Sequence, residues 1–335
     1  LNLKKVLPLL LVISLIVFSL GGCGAKQDSG EKSNSTNSNP AQKAEITFAS
    51  GGAGGPYHVI ASALASLWNE KISGINVTNS STAASVVNLR MINENKAQIA
   101  FTMSDVAYLA NKGQEMFKEP LANVLGFASL HDNYVQLITK KDSKINSVYD
   151  LKGKRVGVGA PGSGTEFNAR GILKAAGMTY NDLAKADYLS YAETCEQLAN
   201  GNIDAGFITG GLPVAAITEL ATTKDIKIVP IAPEIIEKLK QEYPIYFEAE
   251  IPAGTYKGVD APVKTVALKN YLVVSKDMSE DLAYNLVKTM FDNWETVKQS
   301  HSALKDVTLE RATEHMVIPL HPGVEKFYKE KGLIK

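Results

Sequence analysis

Cysteine is nearly absent from this chain of 335 residues, with Cys23 and Cys195 the two it has. If Cys23 is modified, Cys195 has no intrachain partner, so no disulfide is expected, and no Cys/His spacing of a zinc site occurs. Net charge is absent too, since 35 basic residues balance 35 acidic ones. Loss of Lys4 and Lys5 with a leader would leave the remainder slightly acidic. That balance excludes nucleic acid as a partner, which needs a clustered basic face. Arginine is scarce: Arg90, Arg155, Arg170 and Arg311 are all there are, and none falls in a glycine-rich loop. The histidines His58, His131, His301, His315 and His321 are dispersed, which points to structural or surface roles. Beyond the first residues no apolar run is long enough to span a bilayer.

At the N-terminus Lys4 and Lys5 precede VLPLLLVISLIVFSL. That run is too short and wrongly flanked for a durable span but has the charged-then-apolar form of a secretory signal over residues 1–22. Leu20-Gly21-Gly22-Cys23 resembles the bacterial lipobox, which implies acylation of Cys23 and a lipid anchor outside the cytoplasm. Residues 23–44 are rich in Ser, Asn, Gly and Lys and cannot offset their ordering entropy by burial, so they read as a disordered tether. The roughly 290 residues from Glu45 onward exceed one typical domain, and two lobes are expected.

The globular part alternates strand and helix. EITFAS, INVTNSS and AQIAFTM read as strands; PYHVIASALASLWNEKI, SVVNLRMINENK and SDVAYLANKG read as helices, with Pro56 at a first helical position and Ser104 placed to cap. A second series follows VLGFASLHDNYVQLITK: strands KRVGVGA, KADYLSY and IDAGFITG, helices TEFNARGILKAAG and ETCEQLANG. KTVALKNYLVVSK can carry the chain back to the first lobe, and SEDLAYNLVKTMFDNWETVKQ reads as one long helix. The pattern predicts an α/β fold with a parallel sheet covered on both faces.

Ligands of open α/β sheets bind beyond the carboxyl ends of the strands. The loops there are ASGGAGGPY, NSSTAAS, TMSD, APGSGT and ITGGLP. Glycine permits close backbone approach, hydroxyls bond adaptably, and helix starts leave N–H groups unsatisfied, so these loops can hold a carboxylate without a dedicated arginine. Gly157, Gly159 and Gly162 also match the G-x-G-x-x-G of a dinucleotide site. Against that, Gly157 and Gly159 read as lying inside a strand, and Asp187 as starting the next strand rather than ending it. The anion site at the Ser163-Gly164-Thr165 helix start is the preferred reading. Asp105 is open to a contact with an ammonium group or a dipole role, and Tyr57 and Tyr256 to pocket-wall or core roles.

The order of motifs is similar to that of the TAXI family of TRAP-transporter solute receptors: GGAGGPY, SSTAASVVNL, TMSDVAYLANKG, DLKGKRVGVGAPGSGTEFNA, GNIDAGFITGGLP, IPAGTYKG and IPLHPGVEKFY. The resemblance implies a type II periplasmic-binding-protein fold, two α/β lobes joined by two crossing strands. Lobe I would comprise residues 45–131 and 271–335, and lobe II residues 132–270. It further implies a lipid-anchored receptor, monomeric and without cofactor or catalysis, that passes a small organic anion, glutamate or a related dicarboxylate, to TRAP-type permease subunits. Carried over motif by motif, the ligand residues would be Ser50, Gly55, Tyr57, Thr82, Ser85, Asn88, Ser104, Ser163, Gly164, Thr165, Gly210 and Tyr256. Met103, His58 and Ala84 depart from the family, which has glutamine, tyrosine and glycine there. The alternatives are a receptor of an ABC importer or a sensor, and an extracytoplasmic hydrolase using Ser163.

Overall fold

The computed structural model describes residues 43–335; the signal, Cys23 and nearly all of the expected tether lie outside them. The first sheet elements are β1 (Ala44–Ala49), β2 (Ile75–Ser80) and β3 (Ile99–Met103), separated by the helices α1 (Pro56–Lys71) and α2 (Ser85–Asn93). α3 (Ser104–Lys112) leads into the long strand β4 (Val124–Lys140). Next come β5 (Arg155–Gly157), α4 (Gly164–Ala175), β6 (Lys185–Asp187), α5 (Tyr191–Asn200) and β7 (Ala205–Gly210). After α6 (Ala215–Thr223), β8 (Ile226–Val229), α7 (Pro233–Glu242) and β9 (Phe247–Ile251), the second long strand β10 (Val263–Ser275) returns the chain to α8 (Glu280–Asp292), α9 (Trp294–Lys298) and α10 (Pro322–Glu330).

All ten strands share one sheet, whose main path is β2-β1-β3-β10-β4-β7-β5-β6, with β8 on β4 and β9 on β10. The sheet is mixed, which corrects the expectation of a parallel one. Its two ends are parallel, β1 with β2 and β3, and β5 with β6 and β7. The strands between them are antiparallel. β4 pairs with β10 through Val124–Tyr134 and with β7 through Tyr134–Thr139, while β10 pairs with β9 through Val263–Ala267 and with β3 through Asn270–Val274. Each of these two strands therefore belongs to both ends, and their pairing shifts register between Lys269 and Tyr271, where they cross from one end to the other.

At the first end, Trp68 of α1 is fully buried between Phe48 and Phe127, and its Nε1 donates to Leu286 O of α8 at 3.0 Å. Burying an indole with its N–H satisfied fixes α8 across α1 at no hydrogen-bond cost. The PLHPG stretch then ties the C-terminus to β4. His321 N donates to Gly126 O, and its ring caps α10 by accepting from Gly323 N at 3.2 Å. A side chain at Gly323 would put its Cβ 2.1 Å from Glu280 O, so only glycine lets the turn pack there.

Three local expectations change. The long helix near the C-terminus breaks at Asn293 into α8 and α9. Met103, not Ser104, is the residue before α3, and it makes no side-chain cap; Ser104 is the first helical residue. β5 ends at Gly157, so Gly159 lies in the turn beyond it, and Asp187 ends β6 rather than starting it. Gly157 does lie within β5, as expected, whereas the positions of Gly159 and Asp187 no longer speak against a dinucleotide fingerprint.

Candidate functional site

The carboxyl ends of the strands from the two sheet ends face each other across a cavity of about 60 Å³. Gly51, Gly52, Ala53, Gly55, Pro56 and Tyr57 line it from the loop after β1 and the start of α1, and Thr82, Ala83 and Ala84 from the loop after β2. Met103 closes the end of β3. Opposite stand Ala160, Ser163, Gly164 and Thr165 at the start of α4, Ser190 and Tyr191 at the start of α5, and Thr209 and Gly210 at the end of β7.

The two sides touch. Val86 and Val87 N–H both donate to Gly162 O, at 3.2 and 3.3 Å, so the start of α2 is capped by the loop that leads into α4. Gly164 lies so close to β3 that an added Cβ would stand 2.5 Å from Met103 Sδ and 2.9 Å from Ser85 Oγ. At the start of α4, Ser163 N–H is spent on Ala160 O and Glu166 N–H on Ser163 Oγ, both at 3.1 Å. The N–H groups of Gly164 and Thr165, at the first two helical positions, have no acceptor within the helix and carry the positive end of its dipole. The carboxylate cradle expected over Ser163, Gly164 and Thr165 thus loses the Ser163 N–H, and Ser163 Oγ is a helix cap.

Of the residues expected from sequence, Gly55, Tyr57, Thr82, Ser163, Gly164, Thr165 and Gly210 line the cavity. Ser50, Ser85, Asn88 and Ser104 are buried behind it. Asn88 Nδ2 lies within reach of Ser50 O and Phe101 O, both at 2.7 Å, and its Oδ1 accepts from Thr82 Oγ1 at 2.5 Å, so it braces the loop rather than facing the space. Ser50 Oγ donates to Ser80 O, and Ser85 Oγ accepts from Met103 N. Tyr256 is not a wall: it sits in the core under α6, where its hydroxyl accepts from Val214 N and donates to Gln136 Oε1 at 2.7 Å. Ser190 and Tyr191 were not expected. The S-x-x-E capping box from Ser190 to Glu193 was their signal, hidden because KADYLSY reads as strand to its end.

Burial holds the phenols of this region in their protonated form. It raises Tyr57 well above the usual range and pushes Tyr191 up to about 12. Tyr57 OH accepts from Asn133 Nδ2 at 3.1 Å, and Tyr191 OH donates to Thr209 O. Asp105 does not reach the cavity. It is fully buried, and its Oδ2 accepts from Asn168 Nδ2 of α4 and from Tyr246 OH, both at 2.5 Å. This bond set ties α3 to the other end of the sheet. Burial pushes the carboxyl up to about 6 against the pull of its donors.

A second, wider cleft of about 560 Å³ lies where the long strands cross. Its walls carry Asp132, Lys269, Lys305, Asp306 and Arg311, with Lys269 Nζ 2.7 Å from Asp132 Oδ1, and none of the residues expected from sequence. The first cavity, at the strand ends and walled by helix starts, is the candidate site.

The solved structure of PhnD1 from Prochlorococcus marinus, in complex with methylphosphonate, superposes with a TM-score of 0.52 at 10% identity, covering 87% of this chain and 99% of that one. The periplasmic aliphatic sulphonate binding protein SsuA from Escherichia coli gives 0.45 at 14% identity, over 86% and 84% of the two chains. A binding protein component of an ABC phosphonate transporter from Pseudomonas aeruginosa gives 0.48 at 14%, over 78% and 80%. The likeness to PhnD1 is one of fold, and with the two crossing strands it bears out the periplasmic-binding-protein fold expected from sequence. The sequence itself matches the NMT1-like family along residues 48–332, and the chain belongs to that family.

Proposed function

We propose that the protein is an extracytoplasmic solute receptor that holds a small organic anion in the cavity between the sheet ends and delivers it to a membrane permease, without chemistry on the ligand. The observation that carries this reading is the pair of unengaged N–H groups at Gly164 and Thr165, facing a cavity closed by loops from both ends of one sheet. The fold shared with PhnD1, whose structure holds methylphosphonate, is in keeping with it. Residues 45–131 with 271–335 would form one lobe and 132–270 the other, closing about the crossing of β4 and β10.

The receptor of an ABC importer is the form of this reading that the comparisons fit better; the TRAP-type permease and the glutamate or dicarboxylate ligand implied by the motif order stand second. A thermal-shift screen against small organic acids tests the receptor reading: saturable stabilisation supports it, and none at millimolar acid contradicts it. Anchoring through Cys23 is tested by Cys23→Ser, which should move the protein from the membrane fraction to the soluble one; a variant that still sediments with membranes contradicts it.

A further inference from the structure

The cavity's walls hold no Lys, Arg, His, Asp or Glu among the described residues. What they offer an anion is narrow. The start of α2 is already occupied by Gly162 O, and α1 opens on Pro56, which has no N–H, so its first donor is the N–H of Tyr57 one position further on. The start of α5 carries its own carboxylate, with Glu193 Oε2 accepting from Ser190 N at 2.8 Å. At α4 the corresponding acid, Glu166, is turned aside: Oε1 accepts from Tyr180 OH at 2.8 Å and pairs with Arg170. The start of α4 is thus the one of these four with both of its first N–H groups, Gly164 and Thr165, open and no acid of its own in the way, which suits it to one anionic group.

A second, independent feature points to a ligand there. Thr209 lines the cavity, is fully buried, and its Oγ1 has no hydrogen-bond partner. Buried hydroxyls without partners are uncommon, and one beside a cavity is satisfied when the cavity fills.

We propose, resting on the receptor reading above, that the ligand is a short-chain monoacid: one negative charge at the start of α4, an apolar body, and no second charge of either sign. A second carboxylate would meet Met103, Tyr57, Tyr191, alanines, glycines and at most the neutral hydroxyls of Thr82 and Ser190, with no countercharge to offset its desolvation. An ammonium group would find no carboxylate, because Asp105, the acid of these loops, is spent on Asn168 and Tyr246 behind the wall. The cavity of about 60 Å³ suits a short chain.

The test is a calorimetric titration of the full chain with straight-chain probes of three to six carbons, compared at equal length: monocarboxylate, dicarboxylate, ω-amino acid and neutral amide. At four carbons these are butanoate, succinate, 4-aminobutanoate and butanamide. Butanoate or a homologue should bind at least about ten-fold more tightly than each counterpart, a gap of about 1.4 kcal/mol. Equal or tighter binding of a dicarboxylate or amino acid overturns the monoacid inference and leaves the receptor reading standing. Binding of the amide alone, or of nothing in the set, overturns both. Ala53→Lys places a cation at an exposed position of the wall and should narrow the gap to the dicarboxylate several-fold. An unchanged gap would mean that a missing countercharge is not what excludes the second carboxylate.

Discussion

At the scale of single residues, two groups carry a conformational or electrostatic cost that a substitution can expose. Ala84, at the start of α2 and in the cavity wall, has φ 71° and ψ −148°, a region that side chains with a Cβ rarely enter. The strain is of order 1–3 kcal/mol. Glycine would relieve it at a cost of about 0.4–1 kcal/mol in unfolded-chain freedom. Ala84→Gly should therefore stabilise the protein by about 1 kcal/mol, read as a higher denaturant midpoint at unchanged m-value. Asp105 is the other case. Its folded pKa, about 6, lies above the ordinary carboxyl value of 3.8, so the folded state holds the proton more tightly. The stabilisation is complete below the unfolded value and is lost as pH rises from about 4 to about 6, amounting to ~3 kcal/mol. His131, pushed down to about 3 by burial, acts in the opposite sense, so the wild-type profile alone would not isolate Asp105. The difference between wild type and Asp105→Asn does: the advantage of the wild type should shrink across that window and stay flat above it. A difference independent of pH would show that Asp105 titrates normally.

At the scale of elements, the start of α4 is the piece on which the binding account turns. Gly164→Ala would drive a Cβ into Met103 Sδ and Ser85 Oγ, lifting α4 away from β3. Affinity for the tightest monoacid should fall at least about ten-fold, as expected when a charge-assisted hydrogen bond is lost. Adding Met103→Ala should recover part of it by vacating the space. Unchanged affinity in the single variant would remove α4 from the site. The elements also mark what local sequence can tell. Loops rich in Gly, Ser and Thr ahead of apolar helices pointed to the strand ends that wall the cavity, because turn chemistry and helix capping are local. Strand direction was not legible: β4 and β10 run antiparallel to each other because of pairings between residues over a hundred positions apart. Nor was the aim of a polar group. Asn88 and Tyr256 look like ligand contacts in their motifs, yet each satisfies buried backbone or amide groups that only the folded chain brings near. Ser190 and Tyr191 were missed for a third reason, since a strand of three residues gives too little pattern to show where it stops.

At the scale of the whole molecule, one continuous sheet serves both sides of the cavity, and two strands are shared between them. The two sides meet through polar contacts, Gly162 with the start of α2, Asp105 with Asn168 and Tyr246, and Glu115 with Arg170 and Tyr243, and through an apolar cluster in which Met103 and Val106 join Phe167 and Leu239. Closure would bend the sheet where the pairing of β4 and β10 shifts register, between Lys269 and Tyr271. The central claim, an anion held at the start of α4, is tested most directly by following backbone amides of the ¹⁵N-labelled protein by NMR while adding the tightest-binding monocarboxylate. The Gly164 and Thr165 amides should move downfield and saturate together, accompanied by shifts at Lys269–Tyr271 as the halves close. Saturating shifts at Leu130, Asp132 and Arg311 around the wider cleft, with Gly164 and Thr165 unmoved, would contradict the claim.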